Sequence, residues 1–459
     1  MQSVNRKLFS FVLVFACLIS VQQVRAELVA SATGTKFVSL TPLRNGISAI
    51  TLVWPIDPPT HDRVTEMKAG LTSVMSGGTK SRSPYEIDAQ LRLKGIEQNA
   101  TMNGQNILLT IASPNEAFPE ALEHLEEVLL QAAYARGWYQ RELQQNSLKL
   151  ASKTGRPSDV LNEIAHFLMF KSGAQTKAGS DGEFRFGRPS QVILRSGDEK
   201  LERSVFELLK KLPEERWNIR LAKWATAITD TDERPFALPT GAIHFEDPDS
   251  SEMLILFVKA EEYKDEAGQI GANLLTDYIG GNSGSEMFRI IRQELRAAYA
   301  PQSTFSVMDK NRAIASFSAT VAADNWPEIH GKITEIYKAT RAGKIDLEGL
   351  KIQHDQMKRR FADQFFSNPI SGARHYLNEY PDGAKGAINL PIFEALETAS
   401  PEKIISDSEE YLPPLEEYLL ILIGGGTAPS EAQNSNGYCA LPKNTPLSFC
   451  LDELSNVSN

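Results

Sequence analysis

Residues 280–300 read GGNSGSEMFRIIRQELRAAYA, a glycine-rich turn that feeds a helix and runs on to a tyrosine. At about 100° per residue the pattern places Met287, Phe288, Ile291 and Leu295 on one apolar stripe, with Arg289 and Arg296 on the opposite, solvent side. Arg292 falls on the flank of the stripe, and Tyr299, seven positions on, falls on the same flank if the helical phase persists. An arginine offers a carbonyl oxygen or an oxyanion a permanent charge and a planar fork of donors, and a tyrosine adds a neutral donor. The plainer reading of this spacing is an arginine that snorkels along the edge of the core and a tyrosine that caps it.

Around this stretch the chain repeats itself at a period of about two hundred residues. Gly280-Gly281 answers Gly77-Gly78, and the helix from Ser285 answers the one from Pro84. The strand over 313–321 answers the strand that ends before 113, and Trp326-Pro327-Glu328 answers Phe118-Pro119-Glu120 at a helix entry. At an offset of 201, Leu91 stands where Arg292 stands. Solenoid repeats are far shorter, so this period indicates duplicated domains.

Local signals fill in the elements. Ser83, Pro84 and Glu86 form a capped helix start, Ile87 and Leu91 give that helix an apolar face, and Gly95 stops it. Asn103-Gly104 marks a hairpin, and Asn45-Gly46, flanked by apolar runs over 37–40 and 47–54, predicts another. A Pro- and Asp-rich linker over 230–239 separates the halves. The second half is expected to open on a strand over 253–258, to continue through helices over 346–365 and 401–411, and to close on a strand over 418–423. Residues after 426 read as a linker that carries two cysteines. Helices on one face of a mainly antiparallel sheet, twice over, make an α+β protein. The predicted units are 27–235, 236–425 and a tail over 426–459.

The 280–300 stretch resembles the carboxyl-half signature of the insulinase/pitrilysin family of zinc metallopeptidases, in which a glycine-rich turn precedes a helix and an Arg and a Tyr seven apart face the active site. Gly280, Gly281 and Gly284 match the turn, and Arg292 and Tyr299 match the pair. The family often has glycine four residues after the arginine; here that position is Arg296. The resemblance covers roughly 36–425 and implies two homologous α+β domains facing each other across a cavity.

Active members of the family carry HxxEH on the first helix of the first half, where two histidines and a further carboxylate bind zinc and the motif glutamate acts as base. The corresponding segment, KAGLTSVMSGGTKSRS from Lys68, has no histidine or acid between Lys68 and Lys80. No two of His61, His166, His244, His330, His354 and His375 have ligand spacing, and His124 in LEHLEE lacks a second histidine within a turn. No zinc or other cofactor is expected in this chain. The resemblance implies a heterodimer in which a partner of the same family carries HxxEH and zinc, while Arg292 and Tyr299 of this chain hold a peptide substrate or its tetrahedral intermediate. A binding or assembly protein that kept the fold without the peptidase is the alternative.

Arg6 and Lys7 lead an apolar run over 8–21, and Val24-Arg25-Ala26 offers a small-residue cleavage site, so residues 1–26 read as a signal peptide and the protein as periplasmic or secreted. The run is too short to span a membrane stably. A lipoprotein form cleaved before Cys17 is the weaker reading, because Phe15 is bulky for that site. Removing residues 1–26 takes away Arg6, Lys7 and Arg25 and no acid, so 433 residues remain and the net charge moves from −10 to −13. So acidic a chain does not suit nucleic acid or an anionic membrane. Cys439 and Cys450 remain as a pair, a disulfide in an oxidising space or otherwise two free thiols.

Overall fold

The computed structural model describes residues 24–25, 28–30, 34–55, 61–103, 106–133, 136–151, 156–169, 187–214, 236–298, 301–308, 311–380, 387–388, 390–425, 437–442 and 445–457. The leader expected over 1–26 lies outside them except for Val24–Arg25, which pairs with Ala387–Ile388.

Among the described residues two six-stranded sheets form, one from each half. The first runs Leu28–Ala30, Lys36–Ser39, Gln191–Arg195, Ile47–Pro55, Asn106–Pro114, Glu97–Asn103. The second runs Gln302–Val307, Arg312–Ala322, Glu252–Glu262, Leu419–Gly424, Gly241–Glu246, Tyr438–Pro442. In each sheet a hairpin occupies one edge and a long antiparallel strand follows it. The last strand of the half then pairs antiparallel with that long strand and parallel with the first. The duplication seen in the sequence is therefore a duplication of strand topology, and the fold is α+β with two sheets.

Three expectations need correction. Asn45-Gly46 does make a turn, with Gly46 at φ 71°, but its flanking strands do not pair, because Gln191–Arg195 lies between them. A turn dipeptide fixes local φ and leaves open which strand completes the ladder. The second half opens on Gly241–Glu246, before the expected Glu252–Glu262. The residues after 426, read as a linker, supply the sixth strand, Tyr438–Pro442, and the helix Leu447–Val457, joined by the Cys439–Cys450 disulfide.

Each half lends a helix to the other. The helix Pro157–Met169 places Val160 and Ile164 with Ile243, Leu256 and Leu451 on one face of the second sheet. The helix Pro369–Glu379 brings Ala373 and Tyr376 into the same cluster as Val38, Val53 and Ile193 of the first sheet. The opposite face of the first sheet packs on Phe118, Leu125 and Val205 of its own helices. No helix of the described residues is long and apolar enough to cross a membrane.

Candidate functional site

The helix Glu266–Thr276 starts at Asp265, whose side chain accepts from the Gly268 N–H at 2.8 Å. It runs without a break into a wide π-helical turn over Asp277–Gly281, and a second wide stretch spans Phe288–Glu294 beyond the glycine-rich turn. Such turns insert an extra residue into a helix and are common at functional sites. Two glycines make the first one fit. A Cβ on Gly280 would stand 2.8 Å from the Ser303 nitrogen, so only glycine lets the strand Gln302–Val307 approach this closely, and a Cβ on Gly281 would stand 2.5 Å from Asp277 Oδ1. Gly284 is exposed and donates its N–H to Asn282 Oδ1 at 2.8 Å.

Three polar contacts fasten this turn to the helix Leu347–Ser367 and its N-cap, Asp346. Asp277, buried, pairs with Arg360. Burial pushes its carboxyl above the usual range, and the Arg360 charge opposes that shift. The Tyr278 hydroxyl accepts from the Asp346 N–H at 3.1 Å. Gln353, buried, donates from Nε2 to Asn282 Oδ1 at 3.1 Å, and the Asn282 amide donates back to Gln353 Oε1. Neither motif nor spacing singles these residues out in the sequence. Their signal was polar side chains at positions that the surrounding apolar pattern buries.

Arg292 is half-buried, with its guanidinium carbon 5.8 Å from the centre of the Phe288 ring. Met287 and Ile291 are fully buried, as the stripe predicts. Arg289 and Arg296 are exposed, and Arg289 pairs with Glu286 and Glu294, both at 2.6 Å. Leu295 departs from expectation: it is 39% exposed, because the wide stretch advances less per residue than an α-helix and brings it round to solvent. The helical phase also fails to reach Tyr299. The wide stretch ends at Glu294, Arg296 takes φ 54°, and Ala298 bridges to Val321 on the neighbouring strand. Tyr299 itself lies outside the described residues.

In the first half, the segment that would hold zinc is the end of the helix His61–Ser76 and the loop after it. Two of its hydroxyls are engaged within the chain: Ser73 Oγ donates to Gly70 O at 2.8 Å, and Thr79 Oγ1 donates to Glu127. Glu127 also accepts from Ser81 and Arg82. Burial alone would raise the Glu127 carboxyl, but the hydrogen bonds from Arg82, Ser81 and Thr79 and the Arg82 charge together hold it at about 2. His124, also buried, faces Arg82 through Nδ1 at 3.3 Å and Gln98 through Nε2 at 3.0 Å. With Arg82 as the donor on one side, the imidazole is neutral and carries its proton on Nε2; burial, then the Arg82 charge, lower its pKa to about 4. A donor set of hydroxyls and backbone carbonyls without imidazole or acid over 69–79 does not fit zinc.

No family model and no curated protein matches the chain. Solved structures do. A peptidase M16 inactive domain from Pseudomonas fluorescens superposes with a TM-score of 0.63 at 14% identity, covering 88% of this chain and 99% of that one. A protease from Helicobacter pylori gives a TM-score of 0.61 at 13% identity over 87% and 99% of the two chains. The periplasmic protease PqqL from Escherichia coli gives 0.59 at 12% identity, covering 86% of this chain and 45% of that longer one. At these identities the likeness is one of fold, and the chain has the fold of the M16, or insulinase-type, peptidases.

Proposed function

We propose that this chain is the non-catalytic, substrate-binding subunit of a zinc metallopeptidase exported to the periplasm or secreted, paired with a partner of the same fold that carries HxxEH and the zinc. The observation that carries this reading is an M16 fold whose 68–80 segment has no zinc ligand while the second half keeps Arg292 behind a braced glycine turn. Arg292 and Tyr299 would then hold the peptide backbone or the developing oxyanion at the partner's metal, on a surface where fixed donors stabilise charge that forms only in the transition state.

The test is reconstitution with an HxxEH partner and a flexible peptide substrate. Arg292→Ala is expected to lower turnover by a factor on the order of 100 to 1,000 with association intact, the scale seen when an oxyanion donor is lost. Tyr299→Phe is expected to cost less, and Arg289→Ala little, since Arg289 is exposed and pairs with neighbours on its own helix, the half-buried Glu286 and the exposed Glu294. Equal losses from Arg292→Ala and Arg289→Ala would favour the binding or assembly protein instead.

A further inference from the structure

Four irregularities lie together between Phe288 and Ala298. The Leu295 N–H donates to Ile290 O at 3.0 Å, five residues back, and the Ala297 N–H to Ile291 O at 3.0 Å, six residues back. Leu295 is an apolar side chain 39% exposed at the end of a helix whose preceding stripe residues, Met287 and Ile291, are fully buried. Arg296 alone among the described non-glycine residues has positive φ, 54°, a region that glycine adopts freely and arginine does not. The ends of the stretch are held: Asn282 and Gln353 brace its start, and the Ala298–Val321 bridge fixes its finish. Between these two anchors the backbone bonds reach five and six residues back, where an α-helix reaches four.

We infer that residues 288–297 form a two-register segment. In the register seen here the turns are wide, Leu295 is exposed and Arg296 is left-handed. In the second the Leu295 N–H passes from Ile290 O to Ile291 O, the segment becomes α-helical, Leu295 turns toward the stripe and Arg296 leaves the left-handed region. Arg292 sits four residues inside the stretch, so it rotates about the axis, away from its present flank beside Phe288. If Arg292 is the substrate-facing residue, as proposed above, contact with the partner or substrate selects between a parked and a presented guanidinium. The register change itself does not depend on that reading.

The test uses the mature, oxidised chain without any partner. Leu295→Cys places one free thiol in it, since Cys439 and Cys450 are bonded to each other. This is combined with either Arg296→Gly or Arg296→Val. Both remove the same charge, but glycine accepts a left-handed backbone and the β-branched valine resists it. Maleimide labelling is expected to be at least fivefold slower in the valine variant, because its thiol spends more time in the buried register. A smaller difference overturns the inference. Circular dichroism and melting of both variants confirm that the native chain is being labelled. A reconstituted peptidase can fail to appear while the labelling difference stands, so failure here is distinct from failure of the proposed function.

Discussion

The side-chain amides of Asn282 and Gln353 answer each other across the gap between the glycine-rich turn and the helix Leu347–Ser367, with Gln353 Nε2 donating to Asn282 Oδ1 at 3.1 Å and the Asn282 amide donating in return. Because Asn282 Oδ1 also accepts from the Gly284 N–H, one buried amide on a long helix sets the backbone path that leads to Arg292.

Replacing Gln353 by leucine keeps the volume and removes both hydrogen bonds, leaving the Asn282 amide facing an apolar wall. A loss of about 1–3 kcal/mol is expected, the cost of stranding buried polar groups. Urea unfolding measures it, and amide exchange across 281–287 should quicken in the same variant. A Gln353→Leu protein as stable as the parent, with unchanged exchange, would show that the amide pair does not hold the turn.

Arg296→Gly removes the cost of a side chain in the left-handed region, about 1–2 kcal/mol. Part of this is offset by the freer unfolded chain, about 0.4–1 kcal/mol. A net gain of several tenths to about 1 kcal/mol is expected, a sign opposite to that of most surface changes to glycine. A melting temperature below the parent's would contradict the φ of 54° found there.

That position also shows what the sequence could and could not reveal. Arg296 stands where the insulinase family often has glycine, and the backbone keeps a glycine-like conformation there. Capping and stop signals were equally legible: Ser83 and Glu86 make both bonds of a capping box, and Gly95 closes the helix at φ 64°. These features depend on residues within one turn of each other. Strand partners do not, which is why Asn45-Gly46 suggested a hairpin although Gln191–Arg195 comes from far along the chain to sit between the two strands. The wide turns around Arg292 were hidden for a related reason. The apolar spacing fits an α-helix, while the Gln353 brace before the stretch and the bridge to Val321 after it are long-range contacts that no local pattern encodes.

Acid should weaken the fold in two steps. His124 and His375 have pKa values of about 4, lowered first by burial and then by Arg82 and Arg374, respectively, against an ordinary value of 6.5. The unfolded chain therefore binds these protons first, and stability falls as pH drops from 6.5 to 4, on the order of 3 kcal/mol per histidine at full titration. Glu127 acts lower down: its carboxyl is held at about 2, so its contribution is present above its ordinary 4.5 and is lost between 4.5 and 2. Urea unfolding at pH 7, 5.5 and 4.5 should show the first step, and a His124→Gln, His375→Gln double variant should flatten it. An undiminished slope in that variant would place the acid sensitivity elsewhere.

Arg195 is the buried cation through which the first sheet grips the second half. It lies at the end of Gln191–Arg195 and is fully buried. Nε donates to Thr41 O at 3.2 Å, Nη1 donates to Phe365 O in the last turn of Leu347–Ser367, and the guanidinium carbon lies 4.7 Å from the Phe365 ring centre. Its partners are carbonyls and a ring, Nη2 has no acceptor among the described residues, and burial lowers its pKa to about 10. Placing such a charge off water is costly, so the two obvious replacements should differ sharply. Arg195→Ala opens a cavity and strands two carbonyls, at about 3 kcal/mol or more. Arg195→Met fills the path of the stem and removes the desolvated charge, so most of that loss should return. Gly372 supplies a control, since a Cβ there would run into Nη1 and would also stand 2.8 Å from Phe365 O. Gly372→Ala should be strongly destabilising in the parent and less so beside Arg195→Met, where only the close approach to Phe365 O remains, with a coupling of about 1–3 kcal/mol in the double-mutant cycle. Additive effects would mean that the guanidinium does not occupy the space against Gly372, and that the polar grip between the halves rests on other contacts, such as Asn103 Nδ2 donating to Asn378 Oδ1 at 3.0 Å.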